Sequence, residues 1–178
     1  YELKILGVSD LAGNTLKDKT VDFEGIDDEE SNYGFSRENP FKYNRWWSLI
    51  RGDEMEYKLG VYDIIRGESA LGYIKEMNQF NDDPGYGKEY ILAKMYFKLE
   101  ESDSGSFEIS PYDFEAVSGN GVTYNSPSIA FDDYYFEEFD RKIYDGAEFI
   151  GWLAFEVDKD DKYPLVLWDD EVWFELYE

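Results

Sequence analysis

The chain has 178 residues, of which 41 are acidic and 17 basic, giving a formal charge of -24; 43% are hydrophobic, and aromatics alone make up 19%. That length sets one domain, or one domain with an extension, as the expectation. A chain so rich in aromatics folds despite its charge, because acidic disordered chains are poor in them. The absence of histidine and cysteine excludes Ser-His-Asp and Cys-His chemistry, disulfides and Cys-ligated zinc, and the acid excess repels nucleic-acid phosphates and anionic headgroups.

In chain order, residues 1–38 read as an N-terminal extension packed on a main domain of residues 39–178. Tyr1, Leu3 and Ile5 alternate with Glu2 and Lys4, and Val21 with Phe23 gives a second short strand signal. The run from Asp27 to Asn32 is solvated-loop chemistry. No apolar run approaches the roughly 18 residues a membrane span needs. The chain opens at Tyr1 without a signal-like apolar region, so any targeting segment is expected upstream.

From Phe41 onward strand patterns dominate. Met55, Tyr57, Leu59 and Val61 alternate with polar residues and glycine, and the phase breaks at Tyr62-Asp63, which predicts a bulge. Glu68 to Phe80 reads as a helix, with Ala70, Leu71, Ile74 and Met77 on one stripe and breakers from Asn81 to Gly85. Glu89 to Leu99 is the clearest strand: Ile91, Ala93, Met95, Phe97 and Leu99 share one face, and a one-residue slip would bury Lys94 and Lys98 instead. Shorter strands are expected at Phe114-Val117, Val122-Tyr124 and Ile129-Phe131, the first two joined by Gly119-Asn120-Gly121. Phe149 to Val157 is another long strand, and Leu165-Trp168 and Val172-Phe174 form a closing hairpin across Asp169-Asp170. Many short strands around one helix predict an all-β antiparallel sandwich.

The block Ile64-Ile65-Arg66-Gly67-Glu68-Ser69-Ala70, followed by Ile74-Lys75-Glu76, Phe80-Asn81, Pro84, Gly87 and Glu89-Tyr90-Ile91-Leu92, resembles the telokin-like, immunoglobulin-type domain of secreted and lipid-anchored proteins of Gram-positive bacteria. Phe114-Glu115-Ala116-Val117 before Gly121-Val122-Thr123-Tyr124, and Gly146 with Gly151 to Val157, fit the same pattern, so the resemblance covers roughly 39–178. It implies an immunoglobulin-like sandwich with its helix inserted between two long strands. It also implies an extracellular or cell-surface setting with a lipid anchor or signal upstream, and no enzyme activity or cofactor. The segment before Asn39 departs from the family's usual low-complexity linker.

Four candidate chemistries compete with plain structural roles. Paired carboxylates such as Asp132-Asp133 or Glu137-Glu138 are expected by chance in so acidic a chain and point only weakly to a glycosidase. Asp158, Asp160 and Asp161 crowd one loop as calcium candidates, but the loop lacks an EF-hand pattern and Lys159 and Lys162 oppose a cation there, so a solvated turn fits better. Trp47, Trp152 and Trp173 fall out of phase with the inward residues beside them and are expected to be exposed, where indoles stack sugars or anchor proteins; a covering layer is the competing reading. Arg66 is expected to pair with a carboxylate rather than bind an anion, with Gly67 easing the strand-to-helix turn.

The expectation is therefore a non-enzymatic cell-envelope binding module whose partner is an unspecified protein or glycan, with no nucleic acid and no direct membrane insertion. A carboxylate-based hydrolase of envelope polysaccharide and a structural spacer are the alternatives. Self-repulsion at -24 destabilises the compact state. Raising salt from about 0.01 M to about 0.15 M shortens the Debye length from about 30 Å to about 8 Å and is expected to raise Tm. Thermal melts followed by circular dichroism check this, and a flat or falling Tm refutes it.

Overall fold

The computed structural model describes residues 2–5, 19–22, 33–43, 48–51, 54–132 and 134–177. The chain divides into two units, 1–32 and 33–178. In the first, β1 (Glu2–Ile5) and β2 (Lys19–Asp22) pair antiparallel, Leu3 opposite Val21, where the two short alternations predict strands. The expected packing of the extension on the domain rests largely on residues outside those described.

The second unit is a sandwich. One sheet has the order β3-β4-β5-β9, with β3 at Ser48–Arg51, β4 at Met55–Arg66, β5 at Lys88–Ser102 and β9 at Glu148–Asp158. The facing sheet has the order β11-β10-β7, from β7 (Phe114–Val117), β10 (Leu165–Trp168) and β11 (Val172–Glu175), and is widened by a parallel bridge from Phe41 to Phe174. A short ribbon pairs β6 (Ser106–Ile109) with β8 (Arg141–Tyr144), two strands that no sequence pattern marked. All the sheet pairings are antiparallel, as the alternation predicts.

The alternating set of β5 does what its phase requires. Ile91, Ala93, Met95, Phe97 and Leu99 are buried in one core with Leu59 and Val61 of β4, Leu153, Phe155 and Val157 of β9, and Phe114, Val166, Trp168 and Phe174 of the facing sheet. Rings fill its centre: Tyr57 stacks on Phe97 at 5.6 Å and meets Trp168 edge-on at 4.9 Å. Within this core the Trp168 indole Nε1 has no acceptor among the described residues, a cost the surrounding aromatic packing must offset.

The predicted bulge is present. The β4–β5 register slips between Val61 and Asp63, and Tyr62 at the slip is 47% exposed and under the Lys94 ammonium. On the same ladder Lys58 stands opposite Lys98, a like-charge pair that would oppose pairing. Glu100 bridges both ammonium groups, at 2.7 and 2.8 Å, and their hydrogen bonds hold its carboxyl below the usual range.

Helix α1 spans Glu68–Met77, three residues short of the expected end because Asn78 turns extended. Its start rests on Gly67, which takes φ +70, donates to the Tyr90 carbonyl of the sheet and accepts the first helical hydrogen bond from Leu71. Ala70 and Ile74 then pack on Tyr90, Leu92 and Trp152, the face of the sheet turned away from the sandwich core. Ile129 and Phe131 pack there too, but as irregular chain rather than the expected strand. Val122-Tyr124 keeps only a single bridge, Thr123 to Val117, of the predicted hairpin.

Beyond β9 the segment 137–139 closes on the sheet edge: Trp152 N–H donates to Glu137 O, and Phe139 N–H to Trp152 O. Gly151 permits that approach, since a Cβ there would lie 2.9 Å from Phe139 Cα and 2.9 Å from the Phe149 ring. Gly151→Ala is therefore expected to cost about 1–3 kcal/mol through overpacking. Chemical denaturation measures it, and a variant as stable as the parent refutes the close approach.

Candidate functional site

Trp152, expected to be exposed, is buried at 8% exposure. Its phase relative to the sandwich core is as read, but the opposite face of the sheet carries its own cover, and the Phe136 ring lies 4.9 Å from the indole. The Lys94 ammonium sits 5.4 Å from the Trp152 ring centroid. Trp173 is half-buried on β11, where its backbone pairs with Phe41 and Gly34. Trp47 lies outside the described residues. Trp152 and Trp173 stand on strands of different sheets.

The acidic loop of Asp158, Asp160 and Asp161 borders a groove of about 700 Å³ that also contains Lys88, Asn120, Tyr124 and Tyr163. Asp161 is committed to holding the groove together. Its carboxylate accepts from the Tyr124 hydroxyl at 2.8 Å, from Gly119 N–H at 3.1 Å and from Tyr163 N–H at 3.1 Å. Its carbonyl accepts from Arg66, whose Nε pairs with Glu89 at 2.7 Å. Arg66 is thus a strut between the helix entrance and this loop, matching the ion-pair reading over the anion site. Among the described residues no three carboxylates converge as a metal site. Burial, then the bond to Asp161, pushes the Tyr124 phenol up to about 12.

A different surface gathers exposed rings. Tyr73 of α1 is 41% exposed, and Tyr134 and Tyr135 are 79% and 75% exposed. Tyr134 meets Tyr135 edge-on at 4.4 Å, and Tyr73 lies 5.1 Å from Phe136, which in turn packs on Trp152. Tyr73, Tyr135 and Phe136, with Met77, Glu76 and Asp132, line a pocket of about 270 Å³ between the helix and the segment after Phe131.

Two devices position it. Asp132 caps the turn, its carboxylate accepting from Tyr134 N–H at 2.9 Å and its carbonyl from Phe136 N–H at 3.0 Å. Asn81, one of the two buried polar side chains among the described residues, joins the two walls. Its amide donates to Ile74 O of the helix and to Ala130 O, and its oxygen accepts from Ala130 N–H at 2.8 Å. No sequence pattern singles out Tyr73, Tyr134, Tyr135 or Phe136 as site residues, although Asp132 is marked as one of a carboxylate pair. The available signal was the adjacent pair Tyr134-Tyr135 in an acidic stretch without alternation, where no strand pleat or helix stripe offers both rings a core.

A domain of unknown function, DUF4352, matches residues 61–175. No curated protein matches the chain. Among solved structures the chain is similar to one titled a "putative lipoprotein" from Bacillus subtilis, with TM-score 0.52 and 13% identity over 71% of this chain; the chain spans 37% of that longer protein. It is also similar to a conserved hypothetical protein from Bacillus anthracis, with TM-score 0.46 and 12% identity, over 72% of this chain and 92% of that one. The likeness to the Bacillus subtilis structure, at 13% identity, speaks to fold alone. Among the described residues no helix is long and apolar enough to cross a membrane.

The groove carries a pH signature. Phenols raised in the folded state contribute stability that is complete below the ordinary value of 10 and is lost as pH rises through about 12. Tyr96, on Glu148, is likewise pushed up to about 12, mainly by burial. Stability is expected to fall steadily across that window, and Tyr124→Phe to flatten the slope. Denaturant titrations at stepped pH provide the check, and a slope unchanged in the variant refutes the assignment.

Proposed function

The chain belongs to the DUF4352 family of domains of unknown function, and from that premise we propose that it is a non-enzymatic interaction module of the cell envelope, binding a protein or glycan through the aromatic surface of Tyr73, Tyr134 and Tyr135. The observation that carries this reading is the clustering of those exposed rings on a walled, braced pocket. Tyrosine is a favoured contact residue because it offers a large rigid face with a polar tip. Trp173, half-buried on the outer side of β11, is a secondary candidate, and residues 1–38 are read as an extension serving the same domain.

The envelope setting draws on two supports: the telokin-like, immunoglobulin-type resemblance of 39–178, and the lipoprotein title of the Bacillus subtilis structure. A lipid anchor carried upstream would hold the module at the cell surface. Against the alternative of a carboxylate hydrolase stands the chemistry of a general acid, which needs apolar burial to raise its pKa. Among the described residues the buried polar side chains are Asn81 and Ser118. Asp161 in the large groove is engaged by three donors, and Glu100 is held low by two lysines.

The test compares the parent with a Tyr134→Ala/Tyr135→Ala double variant on a glycan array and against purified envelope proteins, with circular dichroism and Tm confirming the fold. Exposed substitutions should leave Tm nearly unchanged while binding falls at least about tenfold, as at interface hot spots. Equal binding by parent and variant would exclude this surface as the contact.

A further inference from the structure

The pocket between α1 and the segment after Phe131 has a composition that narrows its partner. Its aromatic walls are Tyr73, Tyr135 and Phe136, and its acids are Glu76 and Asp132. Ring faces carry negative potential and attract cations, most strongly where water is partly excluded. Carboxylates beside such faces add attraction of the same sign, and the whole chain contributes a field of -24. The Glu76 carboxylate makes no hydrogen bond or ion pair among the described residues. The adjacent lysine is engaged elsewhere: Lys75 donates to Asn81 O and pairs with Asp83 at 2.7 Å.

The volume is equally selective. About 270 Å³ falls just below the range of roughly 300–1,000 Å³ typical of drug-sized ligand sites. It suits one long side chain better than a sugar oligomer. A neutral glycan would gain hydrogen bonds from the acids but none of the charge attraction or cation–π contact, and an anionic polymer would be repelled. The fold already uses this chemistry internally, because the Lys94 ammonium rests 5.4 Å from the Trp152 ring and 5.3 Å from that of Tyr62.

Resting on the binding-module reading above, we infer that the partner is a basic polypeptide, and that the pocket captures one of its arginine side chains, the guanidinium lying against Tyr73 and Tyr135 with Glu76 and Asp132 beside it. Arginine is preferred to lysine because its planar, weakly hydrated group stacks on rings while still donating to carboxylates. Long-range attraction brings the partner in, and the rings supply the selectivity.

The experiment titrates the full chain with a fluorescent peptide of alternating glycine and arginine, and with its counterpart carrying neutral citrulline, at low and physiological salt. The expected result is salt-sensitive binding of the arginine peptide and at least tenfold weaker binding of the citrulline peptide. Tyr73→Ala and Tyr135→Ala should each weaken binding about tenfold, Glu76→Gln about threefold, and Tyr73→Phe, which keeps the ring, should retain it. Unchanged Tm accompanies each variant, and Tyr73→Phe guards against reading a folding defect as lost contact.

Binding that survives both tyrosine-to-alanine changes would be attraction to the overall charge, and the inference fails. Equal binding of the citrulline peptide removes the cation and also overturns it. No arginine binding alongside tyrosine-dependent capture of a glycan or neutral protein overturns this inference while leaving the module reading intact. Loss of tyrosine dependence toward every ligand sinks both.

Discussion

The constraint on which the molecule turns is that β5 is buried on both faces. Ile91, Ala93, Met95, Phe97 and Leu99 serve the sandwich, while Tyr90, Leu92 and Tyr96 on the alternate phase are also buried. Each large apolar side chain so placed contributes on the order of 1.5–3 kcal/mol, and the second face can collect that only if something covers it. The helix between β4 and β5 and the irregular chain from Ile129 to Phe136 are that cover. Lys94 and Lys98 are compatible with this arrangement because their long stems lie along apolar surface while their ammonium groups reach rings or Glu100.

Much of this was legible in the sequence. The long strands β4, β5 and β9 announce themselves by alternation, the helix by its apolar stripe, and the bulge by the break in phase at Tyr62-Asp63. What escaped has physical reasons. Period-two patterning says which side of a sheet a residue takes but not whether that side is wet, so Trp152 was placed on the correct face with the wrong exposure. Ile129-Phe131 has strand composition, yet it contributes side chains to a cover without entering a ladder. β6 and β8 are four residues each and find one another across a long sequence separation, where no local signal can pair them.

The candidate site illustrates a further limit of pattern reading. Phase marks the tryptophans, whose positions are wrong for the sandwich core, whereas the exposed rings Tyr134 and Tyr135 lie where there is no phase to violate. Tyr134 and Tyr135 stand on irregular chain held by a rigid frame, the arrangement in which binding residues commonly occur. The groove beside Asp158, Asp160 and Asp161 is larger but more self-contained, since Asp161 and Arg66 spend their polar atoms on closing it. Volume and spare hydrogen-bonding capacity therefore do not coincide: the larger cavity is a braced loop end, while the smaller one keeps exposed rings.

Asn81 clasps the end of α1 and Ala130 with a single side chain, and these two stretches carry opposite walls of the aromatic pocket. Such a latch couples the two walls, so that loosening one side of the clasp removes a restraint from the other. Occupancy by any ligand is then multiplied by the fraction of molecules with the latch shut, and a ligand spanning the walls acts as a second rivet across the same seam. Order in one wall is consequently linked to order in the other through a residue that lines neither.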